Sequence, residues 1–585
     1  MLNHVYRVIF NRATGCYVAV SETAKSSGKS SRSSTVGAVI STTTKSGSHP
    51  SSGRSLRCHA VSAAIAAALG LSGMSAQAFV CVDSGSSSTG GSTATSNATA
   101  CGVNNEAPGN GSSAVGAFND SLGDISSAIG YNNDSSGKSS SAMGVMNKSS
   151  GERSSAIGYL NDSSGEASSA IGYFNKSLGE SSSAVGYINM AIGRNSSAVG
   201  TRTGSIGIGS TAIGGAVEGR ALLTTDNGVI TTVNGIPVTA TGPDLDDITK
   251  VNGVAISGTK LDAFINSVDN GGAIAFGSRS VAVGADNAAI GVRSSAVGDN
   301  NLSLGGYSSA IGSNNESIGT RSSALGSINE SAGERSSAVG YSNSSTGANS
   351  SAVGYSNSST GANSSAVGYS NSSTGANSSA MGRSNISTGE DSSAVGYSNS
   401  SRGANSSAMG YRNESAGDDS SAVGYRNQAI GGNSSALGTH TGAIGSGSTA
   451  VGGATGFAAN TENDGTVLTT VNGIPVTATG LNLVDITQIN GVAVTAKQRD
   501  AFINSVNNGA AIAFGKNSTA VGGESTAIGD RSSAVGYSNM ALGADSTAIG
   551  HSNESTGSSS SAIGINNESI GNNSSALGLA NTSEG

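Results

Sequence analysis

A fourteen-residue unit, typified by SSAVGYSNSSTGAN, recurs along most of this chain and constrains its fold more than any other feature. Twenty-six copies begin at Ser112 and keep a strict 14-residue grid to Ser574, with two interruptions. A fixed short period means one supersecondary unit stacked on copies of itself, a solenoid. Position 1 is Ser in every copy, position 3 is Ala, position 5 is Gly, and position 12 is Gly wherever the copy runs that far. Position 4 is Val, Ile, Leu or Met. Position 8 is Asn in most copies, as at Asn119, Asn133, Asn343, Asn357 and Asn539.

The unit reads as a short strand, Ser-Ser-Ala-Val, followed by a bend at Gly. The Asn-x-Ser-x-Gly stretch is expected to turn the chain back, with Asn and Gly in left-handed backbone and Asn bonding its own turn. Coils stacked about 4.8 Å apart give a rod of roughly 125 Å. Adjacent strand residues face opposite ways. Ala114 therefore fills a narrow interior while Val115 points out. Repeated, position 4 is a continuous apolar stripe that includes Val115, Ile129, Val339, Val353, Val367 and Val535. A stripe that large marks an interface, so the chain is expected to form a homo-oligomer, dimer or trimer.

Composition agrees with a thin rod. With 88 Gly, no Trp and 9 Phe, one chain cannot build a bulky globular core. Charge is uneven. Residues 1–78 hold 8 of the 29 basic residues and 1 of the 37 acidic ones, which leaves 21 and 36, about −15, for the rest. An acidic rod disfavours nucleic acid as a partner.

The run from Val61 to Leu71 follows Arg54, Arg57 and His59 and precedes Ala76-Gln77-Ala78. Charged flank, short apolar core and small-x-small site predict a secretory signal peptide cleaved after Ala78. Cys81 and Cys101 flank a Gly/Ser/Thr segment just beyond it. In an oxidising compartment they can close a disulfide; inter-chain pairing and free thiols are the alternatives.

The two interruptions, after Gly214 and after Gly452, resemble each other. TTVNGIPVTATG begins at Thr231 and again at Thr469, and LDAFINSVDNGGAIAFG from Leu261 answers RDAFINSVNNGAAIAFG from Arg499. Each predicts β-like segments with an Asn-Gly turn and then a short helix, with Phe264 and Phe502 as core anchors. Both are expected to wrap neighbouring chains or project from the rod. The organisation is residues 1–55, an extended leader; 56–78, signal core and cleavage site; and 79–111, a Gly/Ser/Thr-rich segment. Repeat blocks follow at 112–215, 280–453 and 518–585, with inserts at 216–279 and 454–517.

The first 55 residues carry Tyr6-Arg7-Val8-Ile9-Phe10-Asn11, then Gly15-Cys16-Tyr17-Val18-Ala19-Val20-Ser21-Glu22, then Ala24-Lys25. This resembles the extended signal peptide region of large autotransporters of Gram-negative bacteria. With the Ser-Ala-Val-Gly repeats and the inserts, the chain looks like a YadA-like trimeric autotransporter adhesin, a product of type V secretion. The resemblance implies an all-β fold, a left-handed parallel β-roll in a homotrimer with two small mixed inserts. It implies cell adhesion and a role in virulence: attachment at the cell surface to host extracellular matrix proteins such as collagen or fibronectin, or to host cells, with autoaggregation. The alternatives are a spacer or self-association rod without a host ligand, or an anchorless truncated adhesin. Such proteins end in a coiled-coil stalk and an outer-membrane β-segment. Neither is read before Gly585, so the chain is expected to be a fragment or a truncated product, secreted if no anchor exists.

No enzyme, cofactor or metal site is expected. His440 and His551 lie on different coils, share neither a metal nor a triad within one chain, and read as solvated. Tyr at position 6, in Tyr341, Tyr355, Tyr369, Tyr397, Tyr411 and Tyr425, is either an outward aromatic ladder suited to a repetitive fibrous ligand or packing against neighbouring coils or chains. Variable positions 7, 9, 13 and 14 are expected to face solvent.

Overall fold

A computed structural model describes residues 6–11, 16–21, 79–81, 91–95, 97–215, 221–456 and 458–585. Two units are separated after Gly73. The first holds an antiparallel pair, Tyr6–Asn11 with Cys16–Ser21. The second is a parallel β-solenoid with two small inserts, each with one α-helix.

Most coils have a long strand at positions 2–6 and a short one at positions 9–10. Ser351–Tyr355 lies in register beside Ser365–Tyr369, so Val353 neighbours Val367 and Tyr355 neighbours Tyr369. Ser358–Ser359 pairs in the same way with Ser372–Ser373. Strand alternation buries Ala352 and turns Val353 outward. The interior is narrow and largely polar: Ser350, Ala352, Asn357 and Ser359 are all buried. Ser359 Oγ lies 2.7 Å from Ser364 Oγ, and Ser364 Oγ donates to the Gly361 carbonyl at 2.7 Å.

The turns differ from the sequence expectation. Left-handed backbone falls at positions 7 and 14, as at Ser356 (φ +52°) and Asn363 (φ +55°). Neither Asn357 nor Gly361 adopts it. Asn at position 8 points inward and joins coil to coil. Position 5 bends as expected: Gly354 has φ +120°, which L side chains rarely adopt. Position 12 is Gly because coils touch there; a Cβ on Gly361 would lie 2.0 Å from the Gly375 carbonyl oxygen.

Each insert opens one coil. Thr211–Gly214 and, after the insert, Ile274–Ala275 belong to the same turn of the stack, because Gly204–Ser205 pairs with Ile274–Ala275 and Thr211 pairs with Val281. Between them lie antiparallel strands Leu223–Asp226, Val229–Val233, Ile236–Ala240, Ile248–Val251 and Val254–Ala255, then helix α1, Thr259–Val268. The second insert repeats the plan from Thr461–Asn463 to Val492–Ala493, ending in helix α2, Ala496–Val506. α2 starts from a capping box between Thr495 and Gln498, a reciprocal bonding that satisfies first-turn donors.

The inserts do not project free of the rod. Phe264 is fully buried in one core with Ile236, Ile248 and Val251 of the insert and Met190, Ile206, Phe276 and Leu304 of the coils. Phe502 anchors the second core in the same way, against Ile444, Phe514 and Leu542. The sequence carried a signal for this docking: position 11 is Ile, Phe or Leu on every coil beside the inserts, from Ile192 to Leu304 and from Ile430 to Leu542. Helix α1 approaches so closely that a Cβ on Gly204 would lie 2.6 Å from Ser267 Oγ.

Candidate binding surfaces

The position-4 side chains stand on the outer face of the long strands. Val115 and Val353 are exposed, and Ile129, Val339, Val367 and Val535 are half-buried. Each lies in register with the next, Val339 to Val353 to Val367. The inserts break the sequence but not this row: Val451 pairs directly with Val521, and Val521 with Val535. None of these residues belongs to the chain's own core, so the stripe is solvent-facing in a single chain.

The tyrosines both face outward and pack on neighbouring coils. Tyr341 and Tyr355 stack at 5.1 Å, and Tyr355 and Tyr369 at 4.9 Å with an interplanar angle of 4°. Tyr397, Tyr411 and Tyr425 continue the column at 4.9 and 5.0 Å. Stacking at the coil spacing consumes the ring faces and leaves ring edges and hydroxyls to solvent. Sequence reasoning missed the element that joins the two triplets. Arg383, at position 6 of the intervening coil, lies 5.3 Å from the Tyr369 centroid and 5.4 Å from that of Tyr397. Its guanidinium sits between two ring faces, a favourable cation–π arrangement. Its place on the 14-residue grid was the available signal.

His440 is buried, contrary to the solvated reading. Its ring packs against Tyr425 at 5.4 Å, and its Nδ1 lies 3.0 Å from Asn504 Oδ1 of α2. Asn504 Nδ2 donates to the Arg426 carbonyl, so Oδ1 is the acceptor and His440 Nδ1 carries the proton. Docking of the insert accounts for the burial. His551 is exposed, as expected.

Acidic side chains share position 9 on successive coils. Burial first, and then the neighbouring Glu330 carboxylate, raises the Glu316 carboxyl above its ordinary value. Glu554 is raised by burial and then by Glu568. Asp120 is raised by burial, then by Glu106 and Asp134. Among the described residues no group of three or more His, Cys, Asp or Glu is arranged to hold a metal ion. Cys101 is disulfide-bonded, and the residue in register beside it is Cys81. Ala78, the expected cleavage point, lies outside the described residues.

Comparison with known families adds two findings. Residues 3–50 match the Extended Signal Peptide of Type V secretion system. The YadA head domain repeat matches at 96–119, 135–161, 163–187, 289–315 and 317–343, and in overlapping stretches across 345–441 and 509–553. No curated protein matches the chain.

Proposed function

From a chain that belongs to the YadA-like trimeric autotransporter adhesins, exported under an extended signal peptide and built of that family's head repeats, we propose a homotrimeric head that attaches by many weak contacts repeated along a rod. The partners are host extracellular matrix proteins such as collagen or fibronectin, host cell surfaces and other copies of the chain. One observation carries this reading: the exposed side chains form registered rows, one residue per coil, over hundreds of residues. Such rows give no single strong site. They give avidity, because each bound coil holds the next at high effective concentration. The outward edges of Tyr341, Tyr355 and Tyr369 present hydroxyls at the coil spacing, a match for a ligand that is itself repetitive.

Deleting whole coils tests this. The three coils that begin at Ser336, Ser350 and Ser364 are identical, so residues 350–363 can be removed with the register intact. Binding of chain-displaying cells to immobilised collagen or fibronectin is expected to fall stepwise as coils are removed. Undiminished binding after loss of half the coils sinks the distributed-contact reading. The identity of those three coils also favours a second reading, a uniform spacer. That reading predicts autoaggregation without attachment to either matrix protein.

A further inference from the structure

The two inserts dock alike, so the chain contains the same junction twice. Each junction lies between an insert and the coils that follow it, and each has a carboxylate at position 7 of the first full coil. At the first, Asn234, Ile274, Asp286 and Leu302 line a gap of only about 30 Å³. At the second, Asn472, Ile512, Glu524, Tyr537 and Met540 line a cleft of about 280 Å³. Tyr537 stands where the first junction has Asp299, and Ala458 adds to the wall. Glu524 occupies this place in left-handed backbone, φ +56°, a conformation that favours Gly or Asn over Glu. Its Oε1 accepts from Thr455 Oγ1 at 2.7 Å and from Tyr537 OH at 3.2 Å. Among the described residues, its Oε2 takes no hydrogen bond and no basic side chain pairs with it. The remaining lining includes Val506, Ile512 and Met540, an apolar floor.

We propose that this cleft binds an alkylammonium group, its charge on Glu524 and its carbon chain on the apolar floor. The chemistry follows from the lining. A carboxylate fixed by two hydroxyl donors but without a cation attracts a positive head group, and a hydrogen bond to a charged group is among the stronger ones. A volume at the lower end of small-ligand pockets suits a chain of about five carbons. The first junction, closed by its own side chains, has no room for one. The same group is carried by a free diamine and by a lysine side chain of a partner protein. The inference stands independently of the adhesive reading.

The experiment uses the chain labelled at its methionine methyl groups. Met540 lines the cleft, and Met190 packs against the first insert as an internal control. With 1,5-diaminopentane the Met540 resonance is expected to shift saturably while Met190 stays fixed. Pentan-1-ol at the same concentration is expected to leave both unmoved. Glu524→Gln should weaken the titration by at least about tenfold, and Glu524→Asp should largely restore it. The aspartate variant keeps the test valid if the glutamine variant disturbs the fold. A lysine-containing tripeptide that shifts Met540 as strongly as the diamine assigns the site to a partner's lysine; response to the diamine alone assigns it to a free amine. The proposal is overturned by an unmoved Met540, by equal shifts at Met540 and Met190, or by undiminished binding in Glu524→Gln.

Discussion

Asn357 Nδ2 donates to Asn343 Oδ1 at 2.9 Å, so the position-8 side chain of one coil is bonded to the same side chain of the coil before it. The same amide also donates to the Val353 carbonyl at 2.9 Å and to the Gly368 carbonyl, one coil further on, at 2.7 Å. Asn357 thus ties three coils together in an interior that water does not reach. The ladder ends at the inserts: Thr203 donates from both N and Oγ1 to Asn189 Oδ1, and Thr441 does the same to Asn427 Oδ1. Thr supplies a donor but no amide for the next coil, which is a terminator's chemistry.

Asn371→Ala is expected to cost about 3 kcal/mol, because it removes the acceptor of the buried Asn385 backbone N–H and the side-chain donor to the Val367 and Gly382 carbonyls, while Asn357 Oδ1 keeps only the backbone N–H of residue 371. Thermal and urea unfolding followed by circular dichroism measures this. A change below about 0.5 kcal/mol would show that the ladder is incidental to stability.

Gly375→Ala is expected to force adjacent coils apart. The added Cβ would lie 2.0 Å from the Gly389 carbonyl oxygen, which is backbone and cannot swing away. A loss of at least about 2 kcal/mol is expected, with new proteolytic cleavage close to residue 375. Unchanged protease resistance would contradict it.

Val353→Asp combined with Val367→Asp should leave each coil folded, because both side chains point away from the coil's interior. The oligomer should dissociate, since the stripe that we propose to lie at the trimer interface would carry charges. Sedimentation is expected to show the monomer mass with an unaltered β-sheet spectrum. A variant that still sediments as a trimer would place the interface elsewhere.

The raised Glu316 carboxyl gives a pH dependence of definite sign. A carboxyl whose folded-state pKa is raised favours folding while protonated. That contribution is complete below the ordinary value of 4.5 and is lost as pH climbs through the raised value. Glu316→Gln should therefore flatten the fall in melting temperature as pH rises from 4.5 towards neutrality. The site is partly solvated, so the difference is expected to stay within about 0.5 kcal/mol. A steeper fall in the variant would reverse the sign and refute the account.

The sequence alone determined the repeating unit, its parallel stacking and the direction that the strand residues at positions 3 and 4 face. Those follow from local rules: strand alternation places Ala352 in and Val353 out, and a 14-residue period returns each position to its own row. Legible for the same reason were the family resemblance, the buried Phe264 and Phe502, and the short helices of the inserts. The Tyr column could be located but not described, because ring stacking and the intercalated Arg383 depend on the distance between coils. What only the tertiary structure decided was every contact made between residues far apart in the chain. Asn at position 8 has the same local propensity whether it caps a turn or forms a ladder, and only the coil above and below selects the ladder. His440 looks like a surface residue until α2, more than fifty residues later, covers it. The two inserts are near copies in sequence, yet one junction closes and the other stays open, because the gap is set by side chains from the insert, its linker and the following coils meeting in space.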